Sequence, residues 1–250
     1  MLKTTYSRLG RRLRKISQLP NRLFSAGPFQ YTSKAQWWVD QAWTKPYLWF
    51  LQPDAVGGHN HTRILDRRFQ LVELAKAVKH LPGSTAECGV YRGVGSGLIC
   101  QTLLGSYQSG ELHLGFDSFD GVSEPEEADR MPNGEMAWQR GKLRTPMQAT
   151  QDLLSEFDFC RLHQGWIPDC LGPATDRRFR LVHVDVDLRQ PTWDTLQFFY
   201  PRMVAGGVFV LDDHGFTDCP GARSAAIEFF ADKPEQIVEV PTGQAFIFKA

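Results

Sequence analysis

The sequence lacks the features that would place it in a membrane or in an oxidising compartment. None of its apolar runs approaches the ~20 residues that a transmembrane helix needs, and no apolar signal-peptide segment is found. Its five cysteines are odd in number, widely spaced and without a CxxC pair, which argues against a disulfide framework and a structural zinc site. We therefore expect a cytoplasmic protein.

The chain also lacks net charge. Its 28 basic and 28 acidic residues cancel, so no nucleic-acid partner is expected. The balance is uneven, because eight basic residues precede the first acidic residue, Asp40. Residues 1–60 are thus a basic, aromatic-rich N-terminal extension. A targeting peptide, a peripheral contact with an anionic membrane, a nucleic-acid arm and a solvated tail all stay open for it.

Five short apolar runs alternate with helical or loop segments over residues 61–250. The runs TAECGVY, ELHLGFDSF, FCRLHQGW, FRLVHVDVD and GGVFVLDD suit strands buried on both faces. RILDRRFQLVELAKAVKHL, SGLICQTLLGS and PTWDTLQFFYPRMV suit helices. The pattern predicts one α/β domain with a doubly wound, Rossmann-like, mostly parallel sheet. The final QIVEVPTGQAFIFKA predicts a C-terminal antiparallel hairpin.

The first predicted strand leads into a glycine-rich turn. AECGVYRGVGSG places Glu87 in the strand and Gly89 and Gly93 after it, where the backbone can approach a ligand beside a helix N-terminus. The spacing E-x-G-x-x-x-G differs from the fingerprint G-x-G-x-x-G, which argues against a dinucleotide oxidoreductase. The second strand ends GFDSFDG, and Asp117 is placed there to accept hydrogen bonds from ribose hydroxyls.

Two acidic pairs follow two successive predicted strands. Asp185 and Asp187 end one strand, and Asp212 and Asp213 end the next. Adjacent parallel strands lie ~5 Å apart, so the four carboxylates can converge and raise each other's pKa values. A hard divalent cation would remove that conflict: Mg²⁺ first, with Mn²⁺ or Ca²⁺ as substitutes. The alternative is that these residues cap helices and solubilise loops.

In combination and order, four segments resemble the macrocin O-methyltransferase family: AECGVYRGVGSG, FDSFDG, VDVDLRQPTWDTLQFFYPRMVAGGVFVLDDHG and GARSAAIEFF. The resemblance covers roughly residues 62–249. It implies a fold of class I methyltransferase type, S-adenosyl-L-methionine as cofactor, a divalent metal, and a hydroxyl acceptor on a sugar-like or phenolic natural product. A homodimer is compatible with it. His214, where the family commonly has Tyr, and Val186, where a small residue is usual, depart from the pattern.

The resemblance also implies roles for individual residues. Asp185, Asp212 and Asp213 would bind the metal. Asp187 would act as the base or support a metal ligand through a hydrogen bond, although Asp185 and Asp187 could exchange roles. His214 follows Asp213 directly, and from that position it could orient substrate, share the base role or cap a turn. His183 reads as a hydrogen-bonded core histidine. The predicted cofactor-binding residues are Glu87, Gly89, Val90, Tyr91, Gly93, Ser96, Asp117, Ser118, Phe119, Gly165, Trp166 and Asp185.

Two other functions stay open at this point. The D-x-D motif could hold a metal that bridges a nucleotide-sugar diphosphate in a glycosyltransferase, although this leaves the glycine turn unexplained. A catalytically idle domain, tethered to a membrane by the basic N-terminus, is the non-enzyme alternative. The long polar segment 121–144 predicts a lid or insertion that shapes the acceptor pocket, with Trp138 and Arg140 as candidate contacts. A helix is expected from about Thr145 onward.

Overall fold

The computed structural model describes residues 65–250, which form a seven-stranded sheet with helices on both faces. The helices are α1 (Leu65–Ala77), α2 (Val94–Thr102), α3 (Met147–Leu154), α4 (Arg189–Phe199) and α5 (Pro220–Phe230). The strands are β1 (Ser84–Cys88), β2 (His113–Asp117), β3 (Cys160–Gln164), β4 (Phe179–Val184), β5 (Met203–Leu211), β6 (Val238–Glu239) and β7 (Ala245–Phe248). The predictions about residues 1–60 lie outside the described residues.

The strand order is β3-β2-β1-β4-β5-β7-β6. Strands β1 to β5 pair in parallel, and β7 pairs antiparallel with both β5 and β6. The order reverses between β1 and β4, which is the point where doubly wound sheets bind ligands. The predicted fold class, including the C-terminal antiparallel hairpin, is confirmed.

Alternating residues of the central strands pack against helices on opposite faces of the sheet. On one face Val182 and Phe209 belong to one buried cluster with residues of α4 and α5, such as Phe199 and Phe229. On the other face Leu181 belongs to the cluster formed by residues of α1 and α2. Strand β3 differs from the expectation of burial on both faces, because it lies at the sheet edge and is half exposed. Within residues 65–250, the helices are too short or too polar to cross a membrane.

Helix α1 is fixed against the sheet by a buried arginine of β4. The Arg180 side chain is almost fully buried, and its guanidinium donates to the carbonyl oxygens of Lys79 (3.1 Å) and Leu81 (2.8 Å) just after the helix ends. It also lies 4.8 Å from the centre of the Tyr107 ring. This contact joins the segment that follows α1 to the start of β4.

Candidate functional site

A cavity of about 470 Å³ opens at the carboxyl ends of the central strands. The β1–α2 turn, the end of β2, the segment after β3 and the loop after β4 form most of its wall. Nine of the predicted cofactor residues line it: Glu87, Gly89, Val90, Tyr91, Asp117, Ser118, Gly165, Trp166 and Asp185. The structure therefore brings residues from four separate segments to one concave surface.

Three predicted cofactor residues lie outside this lining. A Cβ on Gly93 would stand 2.9 Å from the Thr150 side chain of α3, so this glycine serves helix packing. The Ser96 hydroxyl donates to Glu87 and lies 2.9 Å from His113 Nε2, inside the protein. Phe119 is buried, with a positive φ of 56°. These three residues therefore contribute to packing and internal hydrogen bonds, and not to the cavity lining.

The glycine turn depends on a close approach between β1 and β4. Gly89 has φ +86°, and a Cβ there would lie 1.7 Å from the carbonyl oxygen of Asp185. Only glycine fits this position. The Asp117 carboxylate holds the same turn, because it accepts hydrogen bonds from the backbone N–H groups of Val90 (2.8 Å) and Tyr91 (2.7 Å).

A buried histidine joins the glycine-turn strand to the acidic strand ends. His183 of β4 is wholly buried, with Nδ1 2.8 Å from Glu87 Oε1 and Nε2 3.3 Å from Asp212 Oδ1. Burial lowers its pKa, but the hydrogen bonds to the two carboxylates raise it to about 10. His183 is therefore the hydrogen-bonded core histidine expected from the sequence, and it also links residues from the two predicted motifs.

The four strand-end aspartates form two groups rather than one. In the first group, ligand atoms of His183, Asp185 and Asp212 lie within 4.8 Å of one another, and in the second the same holds for Asp187, Asp213 and Cys219. Asp212 is fully buried and accepts a 2.6 Å hydrogen bond from Gln244 Nε2 at Oδ1. The set predicted to bind metal is thus divided between two neighbouring clusters.

Asp187 has an unusual backbone conformation at the edge of the cavity. Its φ is +61°, which non-glycine residues rarely adopt, and its N–H donates to Asp213 Oδ2 over 2.9 Å. Burial and the neighbouring charge of Asp185 raise the pKa of Asp187 well above its usual range. Strained backbone and a raised carboxyl pKa are both common at functional sites.

Two arginines that the sequence analysis did not assign to the site lie against these carboxylates. Arg67 Nη1 of α1 stands 2.9 Å from Asp212 Oδ2, and Arg68 Nη2 stands 3.3 Å from Asp185 Oδ2. Both arginines line the cavity. They occur in the predicted helix RILDRRFQLVELAKAVKHL, and its apolar periodicity gives no sign that two of its arginines meet a sheet end.

His214 lies behind the cavity wall. It is 99% buried, with 1% of its surface exposed, and its Nε2 stands 3.4 Å from Glu239 Oε1 of β6. The next residue, Gly215, donates its N–H to the carbonyl oxygen of Gly243 in the C-terminal hairpin. This backbone bond ties the loop to the hairpin side, so the structure does not place His214 with the cavity-lining aspartates.

The residues present fit both of the groups expected from the sequence. Asp117 Oδ1 accepts one backbone hydrogen bond, from Phe119, which leaves acceptor capacity for a ribose hydroxyl. Carboxylates of Asp185, Asp187 and Asp213 border the cavity, and oxygen ligands suit Mg²⁺. Asp212 fits less well, because His183, Gln244 and Arg67 already contact its two oxygens.

Segment 121–144 packs as a wall of the cavity. Trp138 lines the cavity, is 92% buried with 8% exposed, and donates its Nε1–H to the carbonyl oxygen of Asp218 (2.8 Å). Asp129 anchors the segment, because its buried carboxylate accepts the N–H of Arg189 (2.7 Å) at the start of α4. Arg140 is exposed and does not line the cavity among the residues that the structure describes. The expected helix follows as α3.

The sequence matches one protein family and several O-methyltransferases. The sequence profile described as macrocin-O-methyltransferase (TylF) matches residues 55–240. A demethyldecarbamoylnovobiocin O-methyltransferase from Streptomyces niveus is 29% identical over 161 residues, which are 61% of this chain and 60% of that protein. An 8-demethyl-8-(2,3-dimethoxy-alpha-L-rhamnosyl)-tetracenomycin-C 4'-O-methyltransferase from Streptomyces olivaceus is 28% identical over 149 residues, 57% of each chain. The matches thus span less than two thirds of these relatives.

Solved structures share the fold. The calicheamicin methyltransferase CalS11 superposes with a TM-score of 0.62 at 19% identity, covering 84% of this chain and 93% of that one. An O-methyltransferase from Bacillus cereus, solved in complex with SAH, superposes with a TM-score of 0.53 at 12% identity, covering 84% of this chain and 91% of that one. At these identities the likeness establishes the architecture alone.

Proposed function

Because this chain belongs to the macrocin O-methyltransferase family, we propose that it transfers a methyl group from S-adenosyl-L-methionine to a hydroxyl of a sugar-like or phenolic natural product, with Mg²⁺ or another hard divalent cation. One observation carries the proposal: the glycine turn with Asp117, and the carboxylates of Asp185 and Asp187, border the same cavity. A methyl donor and an acceptor hydroxyl could therefore meet there, as methyl transfer requires.

The cofactor half of the cavity is formed by the first two strands. S-adenosyl-L-methionine, when bound, supplies an electrophilic methyl group on its sulfonium. The free acceptor capacity of Asp117 suits its ribose hydroxyls, and Trp166 and Ile167 offer apolar surface to its adenine. Glu87 acts indirectly, since its hydrogen bonds go to Ser96 and His183.

The acidic half of the cavity suits proton removal from the acceptor. We assign Asp187 as the general base, because its raised pKa brings its proton affinity closer to that needed near neutral pH. Asp185 of the first cluster and Asp213 of the second both border the cavity. They would hold the divalent cation, with Asp212 beside them, and the cation would lower the pKa of a hydroxyl bound to it. The Asp187 N–H bond to Asp213 fixes the base next to those carboxylates.

The acceptor half of the wall is largely apolar. Val122, Trp138, Leu143 and Pro191 line the cavity alongside Asp187. Cys219 contacts this wall and lies 3.9 Å from Asp187 Oδ1. An acceptor ring packed on these side chains would exclude water from the base, which favours sugar-like or phenolic groups carried on a larger apolar product.

A calorimetric titration with S-adenosylhomocysteine tests the proposal. We expect binding with or without Mg²⁺, and Mg²⁺-dependent methylation when labelled S-adenosyl-L-methionine is supplied with deoxysugar-bearing or phenolic natural products. An absence of S-adenosylhomocysteine binding under both conditions would contradict it. The glycosyltransferase and oxidoreductase interpretations lose their support, because the family match accounts for the glycine turn and the acidic pairs together.

A further inference from the structure

The acidic site already contains positive charge supplied by the protein. Besides its 2.9 Å contact with Asp212, Arg67 Nη1 lies 4.0 Å from Asp213 Oδ1. Arg68 contacts Asp185. Only 14% of the Arg67 side chain and 10% of the Arg68 side chain are exposed. Ion pairs this shielded from water are screened much less than surface pairs.

These contacts supply part of the positive charge that a divalent cation would bring to the carboxylates. Four carboxylates at two strand ends repel one another, and a divalent ion would place two positive charges among them. Two guanidinium groups bring the same formal charge and touch Asp185, Asp212 and Asp213 between them. The three carboxylates predicted to bind metal are thus the ones that the arginines contact.

We propose that Arg67 and Arg68 are positioning residues that hold the strand-end carboxylates in place before a divalent cation binds, and that Arg68 competes with that cation for Asp185. In that case the site folds and the cofactor binds without the metal, whereas catalysis requires it. The part that concerns the cation rests on the proposed function.

The arginines are themselves held in place by other contacts. The Arg67 guanidinium lies 4.8 Å from the centre of the Phe216 ring, and the Arg67 carbonyl oxygen accepts a 3.4 Å hydrogen bond from Gln244 Nε2. The same Gln244 amide donates to Asp212. Helix α1 is also joined to the C-terminal hairpin, since Thr242 Oγ1 donates to Gln70 (2.9 Å). Arg67 is therefore a fixed partner of Asp212.

Arg68 is placed differently from Arg67. Its partner Asp185 borders the cavity and has 20% of its side chain exposed, whereas the side chain of Asp212 is fully buried. A cation that enters the cavity can reach Asp185 but not the buried Asp212, and it must share Asp185 with Arg68. We therefore assign the stabilising role mainly to Arg67 and the competing role mainly to Arg68.

Thermal unfolding and Mn²⁺ binding test the two roles on the full chain. In EDTA, Arg67→Met should lower the unfolding temperature by several degrees relative to wild type. Added Mg²⁺ should raise the unfolding temperature of the variant more than that of wild type and so remove most of this difference, because a cation bound to the folded state stabilises both proteins. Arg68→Met should tighten Mn²⁺ binding, measured by electron paramagnetic resonance of free Mn²⁺, by about fivefold or more. Arg68→Lys keeps the positive charge and should stay close to wild type.

Lys76→Met is the matched control, since Lys76 is a cation of the same helix with an exposed partner, Glu73. It should change neither measurement. The proposal is overturned if Arg67→Met loses no more stability than this control, if Mg²⁺ does not reduce the difference from wild type, or if Arg68→Met leaves Mn²⁺ affinity unchanged. If Arg67→Met cannot be purified, the Arg68 variants decide. Failure of wild type to bind S-adenosylhomocysteine would contradict the proposed function instead, and would leave these comparisons valid.

Discussion

At the scale of single residues, the site depends on positions where the surrounding atoms restrict which residue or conformation is possible. Gly89 faces a carbonyl oxygen where a methyl group has no room. Asp187 keeps a left-handed backbone conformation and has an N–H bond to a second carboxylate. A substitution at either residue alters one identified contact, so its effect can be attributed to that contact.

Replacement of Asp187 by Asn should separate chemistry from cofactor binding. The amide cannot take up the acceptor proton, so kcat should fall by about 10²- to 10⁴-fold, the usual contribution of a general base. The dissociation constant for S-adenosylhomocysteine should stay within about threefold of wild type, or about 0.6 kcal/mol, because Asp187 belongs to the acidic half of the cavity and is not among the residues assigned to the cofactor. Steady-state kinetics and calorimetry measure the two quantities. An unchanged kcat would show that another group accepts the proton.

Gly89→Ala should destabilise the protein through both backbone conformation and steric overlap. The conformational part alone costs on the order of 1 kcal/mol, and the overlap with the Asp185 carbonyl adds to it. Gly110→Ala is the control, because Gly110 has a similar φ of +84° and no atom within 4 Å of the added Cβ. Urea unfolding should show a clearly larger loss for Gly89→Ala. If the two variants lost the same stability, the overlap at Gly89 would cost nothing, which would mean that β1 and β4 can move apart easily.

At the scale of secondary-structure elements, segment 121–144 is joined to the two helices that follow the acidic strands. Asp129 lies against α4 and α5: its carboxylate accepts the Arg189 N–H, and a Cβ on Gly221 of α5 would lie 1.8 Å from Asp129 Oδ1. The insertion is therefore attached to the helices that follow the aspartates. This attachment fixes the position of its apolar side chains relative to the proposed base, Asp187.

Asp129→Ala should loosen this attachment. It leaves the part-buried N–H of Arg189 without its acceptor and removes the 2.9 Å bond from the Glu126 N–H, at a cost of about 1–3 kcal/mol. We expect a lower unfolding temperature and a higher KM for the acceptor, with S-adenosylhomocysteine affinity unchanged. Glu127→Ala removes an exposed ion pair with Arg130 in the same turn and should alter none of these. A normal acceptor KM in Asp129→Ala would show that the wall is held in another way.

At the scale of the whole molecule, stability depends on which buried groups are charged. His113 of β2 is fully buried between Thr85 Oγ1 (2.8 Å from Nδ1) and Ser96 Oγ (2.9 Å from Nε2). Neither partner carries a charge, and burial lowers the pKa of His113 from 6.5 to about 4. The folded protein therefore keeps this ring neutral at pH values where an unfolded chain would protonate it.

The sign of the resulting pH dependence follows from proton linkage. Between pH 6.5 and about 4 the unfolded chain binds more protons at His113 than the folded one, so stability falls as the pH falls through this range. The full contribution is present above pH 6.5, and its loss amounts to about 3 kcal/mol at most. Urea unfolding from pH 7 to pH 4.5 should show a shallower slope for His113→Gln than for wild type. Identical slopes would contradict the assignment.

The sequence by itself determined the order of elements and the residues at the strand ends. Apolar runs and glycine positions are local signals, and they predicted the parallel sheet, the terminal hairpin, the glycine turn and the two acidic pairs. The half-exposed β3 escaped prediction, since nothing in FCRLHQGW shows that this strand has a neighbour on only one side.

Only the tertiary structure decided which groups meet. The bond between His183 and Glu87 joins residues 96 positions apart, and the bond from Arg67 to the Asp212 carbonyl oxygen spans 145 positions. Contacts at such separations depend on how helices lie on the sheet, and local periodicity carries no information about that. For this reason the aspartates could be recognised from sequence as a group, whereas their division into two clusters and the arginines that contact them could not.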